Sequence, residues 1–196
     1  MIIYLDTETT GLRPGKICQL SYVMQSADKI KSKNMFFSVD YVEPSAQMVH
    51  GFSVPKLRIL SGGKRFEDLI DEIDSDFANA DLIITHNVSF DFMFLRSEFE
   101  NAGRVFTYKE SFCSMKSMTP VCKICRKSGA GYKYPKLSEL CSFFAISDYD
   151  IALASKKIFG ESASFHDARF DTTAVYLAVL KGMKCIPEFE HLRNYL

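Results

Sequence analysis

The stretch IIYLDTETTGL occupies residues 2–12 and decides the fold of the chain. A short apolar run that ends in an acidic residue is typical of a strand buried inside a sheet. Asp6 and Glu8 are separated by one residue, and alternate residues of a strand face the same side of the sheet. We therefore predict that both carboxylates face one site at the end of a central strand. Two solvent-facing acids at a strand end are the alternative for this motif alone, and the apolar run disfavours it.

The remainder of the chain predicts an α/β fold of three layers. Further strands are predicted at 17–25 and 34–41, forming a meander with the first, and at 81–86. Helices are predicted over 66–80, from Ser89 to about Ala102, near 137–144, near 150–159, and from 166 to 181, the last entered through Ser164 and closed by Gly182. The stretch from 104 to 136 contains Pro120, Gly129, Gly131 and Pro135 and predicts an irregular, insertion-like loop.

Length and composition indicate one globular domain. The chain has 196 residues, of which 47% are hydrophobic and 24% charged, and it shows no internal repeat. The first residues read as a strand rather than a leader, and no apolar run approaches the roughly 18 residues that would cross a bilayer. We therefore expect a soluble, cytoplasmic protein without a membrane partner.

The charge is balanced overall but not locally. Lys and Arg together number 24, as do Asp and Glu, whereas many nucleic-acid-binding proteins are basic. Residues 109–136 carry seven basic side chains and one acidic, so this segment is near +6 and the remainder near −6. A basic surface beside an acidic pocket suits a phosphate backbone delivered to metal ions. An ordinary solvated loop is the alternative for this segment.

The six cysteines show no disulfide-scaffold spacing, and we interpret them as reduced thiols. Cys122 and Cys125 form one C-x-x-C pair, which would be half of a zinc site if Cys113 or Cys141 contributed. Core or loop thiols are the main interpretation.

Two further acidic positions and a histidine complete a candidate constellation. Asp91 lies in the first turn of a predicted helix, where the helix dipole favours a carboxylate. His166 and Asp171 lie at the start of the last predicted helix. Alone, each is an ordinary helix-start residue; together with Asp6 and Glu8 they would repel one another without cations. Two Mg²⁺ or Mn²⁺ ions would remove that repulsion and support phosphodiester hydrolysis, with a neutral histidine accepting the proton of water.

The three motifs resemble those of the DnaQ-like exonucleases of the DEDDh class, a family that includes the proofreading subunits of bacterial DNA polymerases. LDTETTGL at 5–12, HNVSFDFMFL at 86–95 and HDARFD at 166–171 match the first, second and third motifs in order. The resemblance covers nearly the whole chain. It implies a ribonuclease-H-like three-layer domain with a mixed central sheet, an antiparallel meander plus parallel strands, flanked by helices.

The resemblance also implies roles for individual residues. It makes Asp6, Glu8, Asp91 and Asp171 the ligands of two divalent cations and His166 the general base. The substrate-binding positions that it implies are Thr9, Gly11, Leu12, His50, Phe52, Asn87 and Phe90, with Leu12 as an apolar wedge against the bases. For Phe52 and Phe90, a place in the hydrophobic core is the alternative.

We predict an exonuclease domain at 1–182 and a short tail at 183–196. The chain departs from a proofreading subunit in this short tail and in its long basic loop at about 106–136. We therefore expect a free-standing 3′→5′ exonuclease that prefers DNA, with RNA as a second substrate class. A catalytically silent nucleic-acid-binding module is the first alternative. The second is an adaptor that binds a protein partner through the 106–136 loop.

Overall fold

The computed structural model describes residues 1–13, 15–27 and 29–196 and contains one mixed sheet. Its strands are β1 (Ile2–Thr9), β2 (Ile17–Ser26), β3 (Lys29–Phe36), β4 (Leu82–Thr85) and β5 (Glu110–Cys113). The strand order is β3-β2-β1-β4-β5. β1 to β3 pair in antiparallel fashion, whereas β4 pairs in parallel with β1 and with β5. This sheet confirms the predicted meander with added parallel strands.

Helices cover both faces of the sheet. They are α1 (Pro44–His50), α2 (Val54–Leu60), α3 (Ile70–Asn79), α4 (Val88–Asn101), α5 (Ser114–Cys122), α6 (Leu137–Phe143), α7 (Asp148–Phe159), α8 (Ala168–Cys185) and α9 (Pro187–Glu190), with short 3₁₀ helices at Phe66–Leu69 and His191–Tyr195. Among the described residues, no helix combines the length and apolar character needed to span a membrane.

β1 is buried on both faces, and its side chains alternate between two cores. Ile2 and Tyr4 pack into the core beneath α6, α7 and α8, whereas Ile3 and Leu5 pack into the core beneath α3 and α4. The predicted three-layer α/β fold is therefore confirmed. The same alternation directs Asp6 and Glu8 toward the α8 side and Thr7 toward the α4 side, so β1 supplies the site from both of its faces.

Two strand predictions need correction. β3 was expected at 34–41 and lies at Lys29–Phe36, because it forms a hairpin directly after β2. Its exposed lysines conceal the strand pattern, and lysines are common on edge strands such as this one. The stretch 104–136 was expected to be irregular, yet it contains β5 and α5. β5 has only four residues that pair with a distant strand, and α5 contains Pro120, which normally signals the end of a helix.

Helix ends also differ from the prediction. α4 begins after Asn87 rather than Ser89, and α8 begins after Asp167 rather than through Ser164. Gly182 does not stop α8, which continues to Cys185. Instead, Gly182 makes room for an aromatic ring, since a Cβ there would lie 2.2 Å from Cδ2 of Phe189.

The C-terminal residues pack onto the domain. Phe189 and Leu192 are almost fully buried in the α8-side core. α1 and α2 were not predicted. They enclose a small third core with Cys18, Val39 and Phe52, and α1 lines a cavity at the end of β1.

Candidate active site

Three carboxylates converge where β1 ends. Asp6 and Glu8 come from the α8-facing side of β1, and Asp171 comes from the first turn of α8. Each offers an oxygen, and these oxygens all lie within 4.8 Å of one another. Glu8 and Asp171 are buried, and Asp6 is half-buried. The sequence prediction that these residues share one site is therefore matched by their placement.

The electrostatics of this cluster oppose ionisation in the absence of a cation. Burial, followed by repulsion from Asp171 and Asp91, raises the pKa of Asp6 well above its ordinary value. Burial and repulsion from Asp171 raise the pKa of Glu8 to about 9, and burial raises the pKa of Asp171 to about 7. The Oδ1 atom of Asp171 is buried without a hydrogen-bond partner among the described residues. Such a set of oxygens suits a hard divalent cation.

Asp91 reaches the site from the opposite side of the sheet. It lies in the first turn of α4 and is buried. Its Oδ1 accepts a hydrogen bond of 2.9 Å from Thr7 Oγ1, and its Oδ2 accepts one of 2.6 Å from Thr85 Oγ1. Burial raises the pKa of Asp91 to about 6, against the lowering effect of these two hydroxyls. Asp91 lines the same cleft as Asp6 and Asp171 but stands outside the cluster of three.

His166 is exposed at the mouth of the cleft. It occupies a turn before α8 with φ of +64°, a left-handed conformation that is uncommon outside glycine. Its ring lies 4.2 Å from that of Phe165, and both residues line the cleft with Asp6 and Asp171. Partial burial lowers the pKa of His166, which favours the neutral imidazole. A neutral imidazole can accept a proton, which is the property that a general base needs.

Asp167 is a functional candidate that sequence reasoning missed. It lies inside the quoted HDARFD motif, between His166 and Asp171, and is buried. It caps α8 by accepting from the backbone N–H of Arg169, and the Arg169 side chain forms an ion pair with it at 2.6 Å. The sequence signal that could have identified it is an acid followed two residues later by an arginine, a spacing that allows the two side chains to pair.

A smaller cavity of about 240 Å³ adjoins the acidic cluster. Five of the predicted substrate-binding residues line it together with Glu8, Ser45, Ala46 and Val49: they are Thr9, Gly11, Leu12, His50 and Phe90. Leu12 is 80% exposed. A Cβ at Gly11 would lie 2.5 Å from the carboxylate of Glu43, so a larger residue there would have to displace that side chain.

His50 and Phe52 have structural positions around this cavity. The Nδ1 atom of His50 accepts from the backbone N–H of Phe52 at 3.0 Å, so Nε2 carries the proton and donates to the carbonyl oxygen of Thr9 at 3.3 Å. Burial lowers the pKa of His50, consistent with this neutral form. Phe52 lines neither cavity and is buried in the third core against Phe36, so the core alternative fits its position.

The cleft that holds the acids has a volume of about 470 Å³. Asn87 and Phe90, both predicted to bind substrate, line it with His86 and Ser138. From the basic segment, Lys136 lines the cleft, whereas Lys123, Arg126 and Lys127 lie exposed elsewhere. The segment is tied down beside the cleft because His86 Nε2 lies 2.9 Å from the carbonyl oxygen of Pro135.

Cys122 and Cys125, the pair considered as an alternative half zinc site, lie at the end of α5 and in the segment that follows it. Cys122 is half-buried and Cys125 is exposed, and all six thiols are free. Over residues 1–13, 15–27 and 29–196, no group of three potential metal ligands includes a cysteine.

Comparison with known proteins identifies relatives over almost the whole chain. DNA polymerase III subunit epsilon of Salmonella typhimurium is 30% identical over an alignment of length 193, and the match covers 92% of this chain and 71% of the relative. The same subunit of Buchnera aphidicola is 29% identical over an alignment of length 157, and that match covers 75% of this chain and 64% of the relative. No protein-family model matches the chain.

The fold is shared with a solved nuclease structure. E. coli exonuclease I, in complex with a 5cy-dT13 oligonucleotide, superposes with a TM-score of 0.70 at 17% identity. The match covers 98% of this chain and 43% of exonuclease I, so this chain spans less than half of that protein. The sheet and its flanking helices have a ribonuclease-H-like fold. By its sequence, the chain belongs to the DnaQ-like exonuclease family.

Proposed function

We propose that this protein is a metal-dependent 3′→5′ exonuclease that removes nucleoside 5′-monophosphates from DNA single strands or frayed ends. The observation that carries the proposal is the convergence of Asp6, Glu8 and Asp171 beside an apolar cavity in a DnaQ-like chain. Carboxylates of this kind do not stabilise a fold, because they repel one another when buried. They are explained if cations and a phosphodiester bind among them.

The residues present fit divalent cations. The buried Oδ1 of Asp171 has no partner among the described residues, and the neighbouring donors are all carboxylate oxygens, which Mg²⁺ and Mn²⁺ prefer. Asp6, Glu8 and Asp171 would hold two such ions, with Asp91 approaching from the α4 side. When bound, these ions would neutralise the carboxylates, activate water and offset the charge of the scissile phosphate.

His166 acts as the general base in this proposal. Its neutral ring stands at the mouth of the cleft, where it accepts the proton of the attacking water. Thr7 and Thr85 hold the Asp91 carboxylate by its two oxygens, which fixes the orientation of that acid. Both assignments would place the chain in the DEDDh class.

The cavity residues hold the end of the strand. Leu12, Val49 and Phe90 offer apolar surface for stacking against a terminal base, and such stacking tolerates any base. Lys136 is positioned to contact a phosphate at the opposite side of the cleft. The name of the Salmonella relative and the oligonucleotide bound to exonuclease I both support DNA as the substrate.

The test is a gel assay with 5′-labelled single-stranded DNA, a matched RNA strand and a DNA strand blocked at its 3′ end. Each is incubated with Mg²⁺, Mn²⁺ or EDTA. We expect a ladder that shortens from the 3′ end of the unblocked DNA and disappears in EDTA. Degradation of the RNA strand alone would instead indicate RNA trimming as the activity.

Two aspartate variants provide the control. Asp6→Ala removes an acid of the cluster and should abolish the ladder, whereas Asp148→Ala removes an exposed acid at the start of α7 and should leave it unchanged. A folded wild-type protein that shortens neither strand would contradict the proposal and favour the silent binding module. Equal activity of wild type and Asp6→Ala would reject the metal assignment.

A further inference from the structure

Gln19 connects the sheet to the start of α8. It lies on β2 directly opposite Glu8 and is fully buried. Its Nε2 donates to Asp167 Oδ1 at 2.9 Å and to Asn34 Oδ1 at 2.8 Å, and its Oε1 accepts from the backbone N–H of Ala168 at 3.1 Å. A buried amide that is satisfied at both ends fixes the groups that it joins.

Asp167 is the centre of this connection. Its Oδ1 also accepts from the backbone N–H and from Nε of Arg169, and its Oδ2 accepts from a terminal nitrogen of Arg169 at 2.6 Å. The Arg169 side chain is only 13% exposed. Because both oxygens are occupied, Asp167 is not free to bind a cation, although it lies close to the acidic cluster. Its contacts anchor the turn that precedes α8.

That turn carries the proposed general base. His166 immediately precedes Asp167 and adopts a left-handed backbone conformation, while its ring makes no side-chain hydrogen bond to any residue that the structure describes. Its one close aromatic contact is the exposed ring of Phe165. The position of the imidazole therefore depends on how its backbone is held. Gln19 holds it at Asp167 and Ala168, and the His166 backbone itself is hydrogen-bonded to the Asp171 carboxylate.

We propose that Gln19, with the Asp167–Arg169 pair, is a positioning residue that holds the His166 turn over the acidic cluster. The neutral amide suits this place, because a charged residue opposite Glu8 would either repel the carboxylates or compete with a cation for them. The proposal rests on the proposed function, since it assigns Gln19 a role in the activity of His166.

The test is a double-mutant cycle between Gln19→Met and His166→Ala. Gln19→Met preserves the size of the side chain and removes all three hydrogen bonds. We expect kcat to fall about 10–100-fold, the usual effect of losing a residue that orients a ligand or base, with KM within about twofold. In the His166→Ala background, Gln19→Met should cause no further fall in kcat, because the residue through which it acts is absent.

Gln25→Met is the matched control. Gln25 lies on the same strand and face as Gln19, is also buried, and bonds Tyr4 at the end of β2 away from the site. It should destabilise the fold without changing kcat. If Gln19→Met does not yield folded protein, Asp167→Asn, which weakens the same anchor, replaces it in the cycle with the same expected result.

The outcomes separate this inference from the proposed function. Losses in kcat that multiply in the double variant, or an unchanged kcat in Gln19→Met, would overturn the positioning role while leaving the exonuclease intact. Full activity of His166→Ala would reject His166 as the base, and the positioning role with it. Amide hydrogen exchange gives a readout besides activity: the Ala168 amide should exchange faster in Gln19→Met and unchanged in Gln25→Met.

Discussion

The first turns of α4 and α8 each present one aspartate to the same cleft, but the two carboxylates have opposite surroundings. Each carboxylate oxygen of Asp91 on α4 accepts a hydrogen bond from a threonine hydroxyl. Asp171 on α8 has a buried oxygen without a partner among the described residues and lies within the cluster of three acids. Both are buried to a similar degree, so burial does not account for the difference.

The comparison separates two uses of a buried acid. On the α4 side, the protein supplies the hydrogen bonds that a carboxylate needs, and the orientation of Asp91 is set before any ligand arrives. On the α8 side, one carboxylate oxygen is left unsatisfied, which costs free energy unless a ligand completes it. The α8 side is therefore where we expect cation binding to have the greater effect on both stability and activity.

The largest effect should come from Asp171→Asn. It should abolish detectable cleavage and also most of the rise in melting temperature that Mg²⁺ causes, because an amide is a poor substitute for the carboxylate ligand. Asp91→Asn should slow cleavage but retain part of the Mg²⁺-induced rise, since the three clustered acids remain. Thermal melts with and without Mg²⁺ measure the difference. An equal loss of the Mg²⁺-induced rise in both variants would show that the α4 and α8 carboxylates do not differ in cation binding.

A smaller effect is expected from Thr85→Val. The substitution removes a donor to Asp91 Oδ2 and should cost about 1–3 kcal/mol in the free energy of unfolding, the usual penalty for a buried group left unsatisfied. It should also lower kcat about tenfold through misorientation of Asp91. Thr173→Val is the matched control, because that hydroxyl bonds only a carbonyl within α8. The two assays are chemical denaturation and steady-state cleavage; equal loss in both variants would count against the role of Thr85.

The metal-free protein should lose stability as the pH rises. The folded protein raises the pKa of Asp91 to about 6, of Asp171 to about 7 and of Glu8 to about 9. An acid whose pKa is raised by folding favours the folded state while it is protonated. That stability is present in full below the ordinary carboxyl pKa of about 4 and is lost as the pH rises through these folded values.

Melting temperatures recorded in EDTA between about pH 5 and pH 9 test this dependence. At about pH 8, Asp171→Asn should melt on the order of 5 °C above the wild type in EDTA, because it removes a buried charge. A wild-type melting temperature that does not change across this pH range would show that folding does not raise the pKa values of these acids.

The smallest effect should come from Lys136→Ala. Lys136 lines the cleft, so its loss should raise KM a few-fold and reduce the salt dependence of single-strand binding by about 0.7 in the logarithmic slope, as expected for one lost phosphate contact. Lys127→Ala, in the same segment but away from the cleft, should change neither. Fluorescence anisotropy across a salt series measures both variants, and the same slope for Lys136→Ala and wild type would exclude the contact.

Strong local patterns predicted much of the fold. The apolar run before Asp6 identified the central strand, and the spacing of Asp6 and Glu8 predicted their common side. β5 could not be predicted, because a four-residue strand is defined by its partner β4 and not by its own residues. Gly182 was taken for a helix end, since its contact with Phe189 depends on the packing of the C-terminal residues.

Residues of the candidate site could be predicted where they belong to a sequence motif, but not where only contacts between distant parts of the chain bring them to the site. Asp6, Glu8, Asp91, His166 and Asp171 were all taken from motifs, and each lies at the cleft. The sequence could not show that Thr7 and Thr85 hold Asp91, or that Gln19 joins Asp167 across 148 positions of the chain. Such contacts arise from the meeting of distant strands and helices, and a glutamine within an apolar strand carries no signal of its partner.

The alternation of β1 side chains between the two faces of the sheet also limits where residues can be inserted or deleted. Shifting this strand by one residue would exchange its two faces, so Asp6 and Glu8 would point toward α4 and the threonine hydroxyl would leave Asp91. A single-codon insertion or deletion between Ile2 and Glu8 would therefore disrupt the acidic cluster and both cores together. The exposed turn around Gly129 bears no comparable constraint. Length variation among natural homologues should accordingly collect in the 123–134 region and avoid the first strand.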